Sequence, residues 1–138
     1  GICLGYQILF TESEEFGHAK GLDVLPGVVR RFPGGLKVPR LGWNRLRVGA
    51  SAAAGLPILA GIPDGAYFYF VHSYYPDPPG GLGAAVATCE YGLSFPALLG
   101  RGTLFGTQFH PEKSQRWGLR LLANFAALVR GAATGAWP

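Results

Sequence analysis

Gly1-Ile2-Cys3-Leu4-Gly5-Tyr6-Gln7-Ile8-Leu9-Phe10 is the stretch that decides the fold. Its pattern is G-x-C-x-G followed at once by a helix-like run. A strand that ends, turns on one strained residue and becomes a helix has this form, and it exposes that residue at the carboxyl edge of a sheet. Glycines on both sides are expected where a Cβ would collide with the neighbouring strand and helix. The residue at the turn is Cys3. At the amino end of a helix the positive dipole end is expected to favour its thiolate. The plain alternative is a small buried cysteine in a glycine-rich turn.

A thiolate nucleophile needs a base that returns a proton to the leaving group, and a third group that orients the base. Far downstream, Gln108-Phe109-His110-Pro111-Glu112-Lys113 offers both. His110 and Glu112 lie two apart on a segment leaving the apolar run Thr103-Leu104-Phe105-Gly106-Thr107. Pro111 between them blocks continuation of the strand and sets a turn that could bring both side chains to one site. A lone His-x-Glu says little, but paired with an elbow cysteine it makes a constellation in the order Cys, His, Glu.

The elbow and the Phe109-His110-Pro111-Glu112 step together resemble the class I (triad-type) glutamine amidotransferases. Three further stretches resemble the glutaminase subunits of imidazole glycerol phosphate synthase, from histidine biosynthesis. They are Lys37-Val38-Pro39-Arg40-Leu41-Gly42-Trp43-Asn44, Tyr69-Phe70-Val71-His72-Ser73-Tyr74-Tyr75 and His110-Pro111-Glu112-Lys113-Ser114-Gln115. The resemblance runs from end to end of the chain. It implies an α/β fold, a flavodoxin-like open mixed sheet flanked by helices. It implies Cys3, His110 and Glu112 as the catalytic triad, acting on L-glutamine through a glutamyl thioester. Gln7 would lie near the substrate carboxamide and Glu15 near its α-ammonium group, with the backbone of Ser73 and Tyr74 on its α-carboxylate. The Leu4 amide would be one oxyanion donor; the family's other donor comes from a Gly-rich loop upstream of the elbow, absent from these residues. By the same resemblance Trp43, Tyr69 and Lys113 face a (β/α)8-barrel cyclase subunit in a heterodimer. Tyr69 would sit near the mouth through which ammonia leaves, and ordinary core packing is the alternative for Trp43. No cofactor and no metal is implied. Two other classes stay open: another class I amidotransferase, serving anthranilate or a nucleotide, and a non-catalytic partner-binding relic of the fold.

Bulk properties agree with one folded domain. The chain has 138 residues, 49% hydrophobic and 14% charged, which excludes disorder. No apolar run approaches the roughly 18 residues of a membrane span, and no basic-then-apolar leader precedes Cys3. Two cysteines are no disulfide framework, and bridging them would consume the nucleophile, so a reducing cytoplasm is expected. There is no methionine, and the elbow lacks a full strand before it, so the chain is expected to be the carboxyl-terminal part of a longer domain. The net charge of +4 comes from scattered arginines without an aromatic-interleaved patch, so no nucleic-acid partner is expected.

In chain order, the elbow helix is expected from Leu4 to about Thr11, and His18 reads as a surface loop histidine. A β-hairpin is expected over 22–32, turning at Pro26-Gly27. A strand follows at 43–48, then an irregular Ala/Gly-rich stretch with a short helix at 49–65. Residues 67–71 read as a strand, with the chain leaving the sheet at 72–76 and turning at 77–81. His72 reads as packed or loop-bracing. Paired strands are expected at 84–89 and 93–98, with Cys89 as a small apolar side chain. Ser114 is a candidate N-cap for the last helix, whose Leu121, Leu122, Phe125, Leu128 and Val129 are expected to form a core stripe.

Overall fold

The computed structural model describes residues 1–80 and 82–133, so Gly81 of the turn expected at 77–81 lies outside the described residues. The architecture is mixed α/β. Helix α1 (Leu4–Gln7) starts directly at Cys3, whose φ of 52° places it in a strained conformation for a side-chain-bearing residue. The chain then turns into strand β1 (Phe10–Ser13) instead of continuing as helix to Thr11. Phe10 decides this: its ring is fully buried and meets Tyr6 edge-on at 5.3 Å, while its carbonyl accepts from the Asp23 amide.

Strand β1 pairs antiparallel with β2 (Ala19–Lys20) and parallel with β3 (Leu25–Arg31). The expected hairpin is absent, because β3 runs straight through Pro26-Gly27. Gly27, at φ 141°, absorbs the register shift against β1 as a bulge, and a Cβ there would come within 2.8 Å of the Pro78 Cα.

Strand β4 (Arg40–Arg45) begins earlier than expected and pairs antiparallel with β5 (Tyr67–His72). Between them lie the short helix α2 (Ala50–Gly55), as expected, and a 3-10 turn at Pro57–Leu59. The chain leaves the β4-β5 sheet after His72, as expected, but joins another sheet instead of ending as loop. It breaks at Ser73 and continues as β6 (Tyr74–Asp77), antiparallel to β3. Ser73 is thus the point where the chain switches sheets. The antiparallel pair β7 (Ala85–Glu90) and β8 (Ser94–Arg101) matches expectation, and β9 (Leu104–Thr107) adds on β8. Among the described residues the strands form sheets in the orders β2-β1-β3-β6, β4-β5 and β7-β8-β9.

The long helix α3 (Gln115–Ala133) is only partly a core element. Leu121 is buried and Leu128 packs on the main core, but Leu119, Phe125 and Val129 are 64%, 41% and 50% exposed. The expected stripe is therefore only half covered; on its exposed side Phe125 still meets the Phe105 ring of β9 edge-on at 6.3 Å. Ser114 does not cap this helix with its side chain either. Its hydroxyl donates to the His110 carbonyl at 2.6 Å and accepts the Tyr69 amide at 2.9 Å. The main core is aromatic, with Phe32, Phe68, Phe70, Phe95 and Phe109 buried together; a second cluster gathers Tyr6, Phe10, Leu25, Val29 and Leu99. No described helix is long and apolar enough to cross a membrane.

Candidate active site

Strand β9 builds the site. The Cys3 amide donates to the Thr107 carbonyl at 2.7 Å, the Thr107 amide donates to the Gly1 carbonyl at 2.9 Å, and Ile2 bridges Thr107 in parallel. Three residues beyond Thr107 stands His110. The elbow and the histidine segment are therefore anchored on one strand, although the chain between them is long. Of the two glycines expected to be sterically required, one is. A Cβ on Gly1 would collide with the Gly5 carbonyl, whereas one on Gly5 would meet open space. Tyr6 braces the elbow: its ring is fully buried and its hydroxyl donates to the Pro96 carbonyl at 3.2 Å.

Pro111 opens the 3-10 turn Pro111–Lys113 as its first residue, where its missing N–H costs nothing. The turn swings Glu112 back onto the imidazole, and Glu112 Oε1 lies 2.6 Å from His110 Nδ1. An ionised carboxylate only accepts, so Nδ1 carries the proton and Nε2 is left as the basic nitrogen. The His110 backbone is clamped at both ends: its amide donates to the Tyr69 carbonyl at 2.9 Å, and its carbonyl takes the Ser114 hydroxyl.

The Cys3 sulfur is engaged elsewhere in this resting arrangement. Its thiol donates to the Val71 carbonyl at 3.8 Å, and the Gln108 carboxamide nitrogen donates to it, also at 3.8 Å. Among the described residues no direct Cys3–His110 hydrogen bond is formed. Nor does the helix end win the electrostatics. Burial pushes the Cys3 thiol up from its ordinary value; the Leu4 amide opposes this, Glu112 and Glu15 push it further up, and Lys113 opposes. A helix of four residues carries too few aligned peptides to overcome desolvation.

A cavity of about 290 Å³ beside α1 is lined by Leu4, Gln7 and Glu15, together with Phe16 and Lys20. Three sequence-predicted positions thus share one cleft, two of them on α1 directly after Cys3. Glu15 forms no ion pair among the described residues. Gln7 is buried, and its amide nitrogen is spent internally, on the Tyr74 carbonyl at 2.9 Å and Gln108 Oε1 at 3.0 Å. The Ser73 carbonyl takes the Phe32 amide. A larger cleft of about 690 Å³, lined by Trp43, Tyr67, Ser114 and Trp117, carries none of Cys3, His110 and Glu112. None of the three lines the smaller cleft either; that cleft is set apart by Leu4 and Gln7, on the helix α1 that directly follows Cys3. Trp43 is 45% exposed and meets Tyr69 edge-on at 5.9 Å across β4 and β5. Tyr69 in turn holds His110 through its carbonyl, and Lys113 ends the turn that bears Glu112.

Sequence reading overlooked Gln108 and Arg40. Gln108 is fully buried against the Cys3 sulfur; its place two residues before His110 on an extended segment was the available signal. Arg40 is buried, its guanidinium carbon 4.3 Å from the Phe70 ring centroid and 4.8 Å from that of Tyr91. Cys89 is buried as expected but also takes the Arg40 Nη1 at 3.5 Å, and both cysteines are free.

The glutamine amidotransferase class-I family profile matches residues 1–128. The chain is 54% identical over 132 residues to the imidazole glycerol phosphate synthase subunit HisH of Moorella thermoacetica, covering 96% of this chain and 60% of that one. With HisH of Desulfitobacterium hafniense it is 52% identical over 134 residues, covering 97% and 61%. This chain thus spans about three fifths of the length of these relatives. Among solved structures, a candidate GMP synthase protein from Thermoplasma acidophilum superposes with a TM-score of 0.66 at 21% identity, covering 97% of this chain and 58% of that one. A second structure, of a glutamine amidotransferase, gives 0.58 at 21% identity, covering 91% and 59%. Those two likenesses bear on the fold alone. With the elbow, the His110–Glu112 pair and the family match in hand, the chain belongs to the class-I glutamine amidotransferases.

Proposed function

We propose that this chain carries the glutaminase centre of an imidazole glycerol phosphate synthase, hydrolysing L-glutamine to glutamate and ammonia. The observation that carries the reading is the shared anchorage: β9 holds the strained Cys3 through Thr107 and delivers His110, already bound to Glu112. The Cys3 sulfur, on losing its proton to His110 Nε2, attacks the side-chain carbonyl carbon of glutamine. The Leu4 amide steadies the oxyanion. His110 then gives its proton to the departing nitrogen as the C–N bond breaks, leaving a glutamyl thioester and ammonia. Water, deprotonated by His110, attacks the thioester carbon and releases glutamate, returning the proton to sulfur.

Glu15, half-buried in the same cleft and without an ion-pair partner among the described residues, suits the α-ammonium group. The backbone of Ser73 and Tyr74 is assigned to the α-carboxylate. Gln7 acts from behind the nucleophile, and its contact with the substrate carboxamide is through the cleft it lines. Ammonia must stay unprotonated to react, so it passes to a partner under shelter from bulk water. We assign that partner as a (β/α)8-barrel cyclase docking on Trp43, Tyr69 and Lys113. The exposed Trp43 against Tyr69, and Tyr69 against His110, support that face. The share of the relatives' length, together with exposed Leu4, Ile8 and Leu119, supports a longer domain, of which we assign these residues as the carboxyl-terminal part. Free cysteines and a thiol nucleophile suit a reducing cytoplasm.

The test uses the full-length protein with its partner. A glutamine-mimicking diazoketone should label Cys3, and Cys3→Ala should lower glutamate release by about a thousandfold or more. Absence of labelling with the partner present would leave a non-catalytic relic. Transfer of ammonia to an anthranilate or nucleotide precursor, and not to the cyclase substrate, would reassign the pathway.

A further inference from the structure

We propose that Gln108 is a positioning residue for the nucleophile: its carboxamide nitrogen donates to Cys3 Sγ, and two hydrogen bonds leading back to the Tyr74 carbonyl decide which end of that carboxamide faces the sulfur. The inference rests on Cys3 as the nucleophile and adds a group that the triad leaves out.

The orientation follows from donors and acceptors. A backbone carbonyl can only accept, so the Gln7 group 2.9 Å from the Tyr74 oxygen has to be its nitrogen. That nitrogen has a second hydrogen, which reaches Gln108 at 3.0 Å, so Gln108 must turn its oxygen toward Gln7. Its nitrogen is then left facing Cys3 Sγ at 3.8 Å. Reversing either amide would set nitrogen against nitrogen or oxygen against oxygen, in a region where Gln108 is fully buried and water cannot compensate. The Tyr74 carbonyl is itself pinned by His72 Nδ1 at 2.7 Å, and the Gln108 amide is held by the Ala97 carbonyl at 2.8 Å.

The sulfur therefore sits between an acceptor and a donor. The Val71 carbonyl suits the thiol, which can donate to it. Gln108 suits the thiolate, because a hydrogen bond to an ionised acceptor is about twice as strong as a neutral one. Deprotonation turns the Val71 contact from attraction to repulsion and strengthens the Gln108 contact. Gln108 thus offsets part of the burial that opposes ionisation, and it holds the sulfur in a defined direction as the charge forms. The other groups acting on the sulfur are the Leu4 amide, Glu112, Glu15 and Lys113.

The readout is the rate of Cys3 alkylation by iodoacetamide against pH in the full-length protein with its partner, located by peptide mass. It reports the thiol titration without glutamine turnover. Gln108→Leu is expected to move the alkylation profile up by about one pH unit and to lower kcat about tenfold with KM little changed. Gln108→Glu keeps the size and the acceptor for Gln7 but brings a carboxylate oxygen to the sulfur, so its profile should move further up. Unchanged profiles in both variants, with turnover reduced, would make Gln108 a packing residue only and overturn the proposal. If Gln108→Leu does not fold, the Gln108→Glu profile alone decides. Retention of glutaminase activity by Cys3→Ala would instead overturn the assignment of the nucleophile, a result separable from either profile.

Discussion

His72 illustrates the cost of burying a titratable ring with one nitrogen met. Nδ1 bonds the Tyr74 carbonyl, while Nε2 is buried without a partner among the described residues, walled by Phe32, Phe70 and Phe95. Burial lowers its pKa from 6.5 to about 4; the Tyr74 carbonyl opposes that shift, and Arg40 and His110 add to it. Between those two values the unfolded chain binds the proton and the folded chain does not. Stability therefore rises with pH across this window and is lost as pH falls from 6.5 toward 4. The shift corresponds to a loss on the order of 3 kcal/mol. Urea unfolding at about pH 7 and about pH 4.5 should show a drop that shrinks in His72→Gln, beyond the general acid sensitivity of the protein. At Cys3 a different opposition holds: a strained backbone sets the residue at the start of α1, while burial resists ionisation of the thiol that the proposed reaction needs. That combination places the burden of making thiolate on its hydrogen-bond donors.

At the scale of elements, the site depends on how closely α3 approaches the turn bearing Glu112. Gly118 lies in the first turn of α3, facing Pro111, and a Cβ there would collide with the Pro111 carbonyl oxygen. Alanine is the better helix former by about 1 kcal/mol, but the obstacle is backbone and cannot rotate away. Gly118→Ala should therefore destabilise by roughly 1–3 kcal/mol in thermal unfolding. It should also shift the His110–Glu112 pair and lower glutamate release by about a hundredfold, since small misplacements of reacting groups cost that much. Wild-type turnover in Gly118→Ala would show that the turn does not need this close approach. Elements with strong periodicity were legible in advance: β5, β7, β8 and α3 lie close to where alternation and helical spacing put them. Pro26-Gly27 was misread because a Pro-Gly pair marks a turn or a bulge equally well, and only the register of β1 against β3 chooses. The elbow helix was drawn too long because Phe10 fits a helical stripe and a buried strand alike.

For the whole molecule, the uncovered flank of α3 sets behaviour in solution. Leu119, Phe125 and Val129 form an exposed apolar face, with exposed Leu4 and Ile8 on α1 and its end. The 138-residue chain by itself should associate through such surface, visible as concentration-dependent sedimentation. Leu119→Lys combined with Val129→Lys should reduce that association while leaving the fold intact by circular dichroism. Association unaffected by this pair would locate the sticky surface elsewhere.

The family, and the residues proposed for its chemistry, were legible in the sequence itself. An elbow cysteine, a histidine and an acid two residues on are local patterns, set by backbone preferences that nearest neighbours impose. What only tertiary structure decided is how those pieces are joined: that β9 anchors both, that His110 hangs from Tyr69 and Ser114, and that Gln7 and Gln108 stand behind the sulfur. Those contacts link residues far apart in the chain, and a buried amide acquires its direction only from the donors and acceptors that folding brings to it.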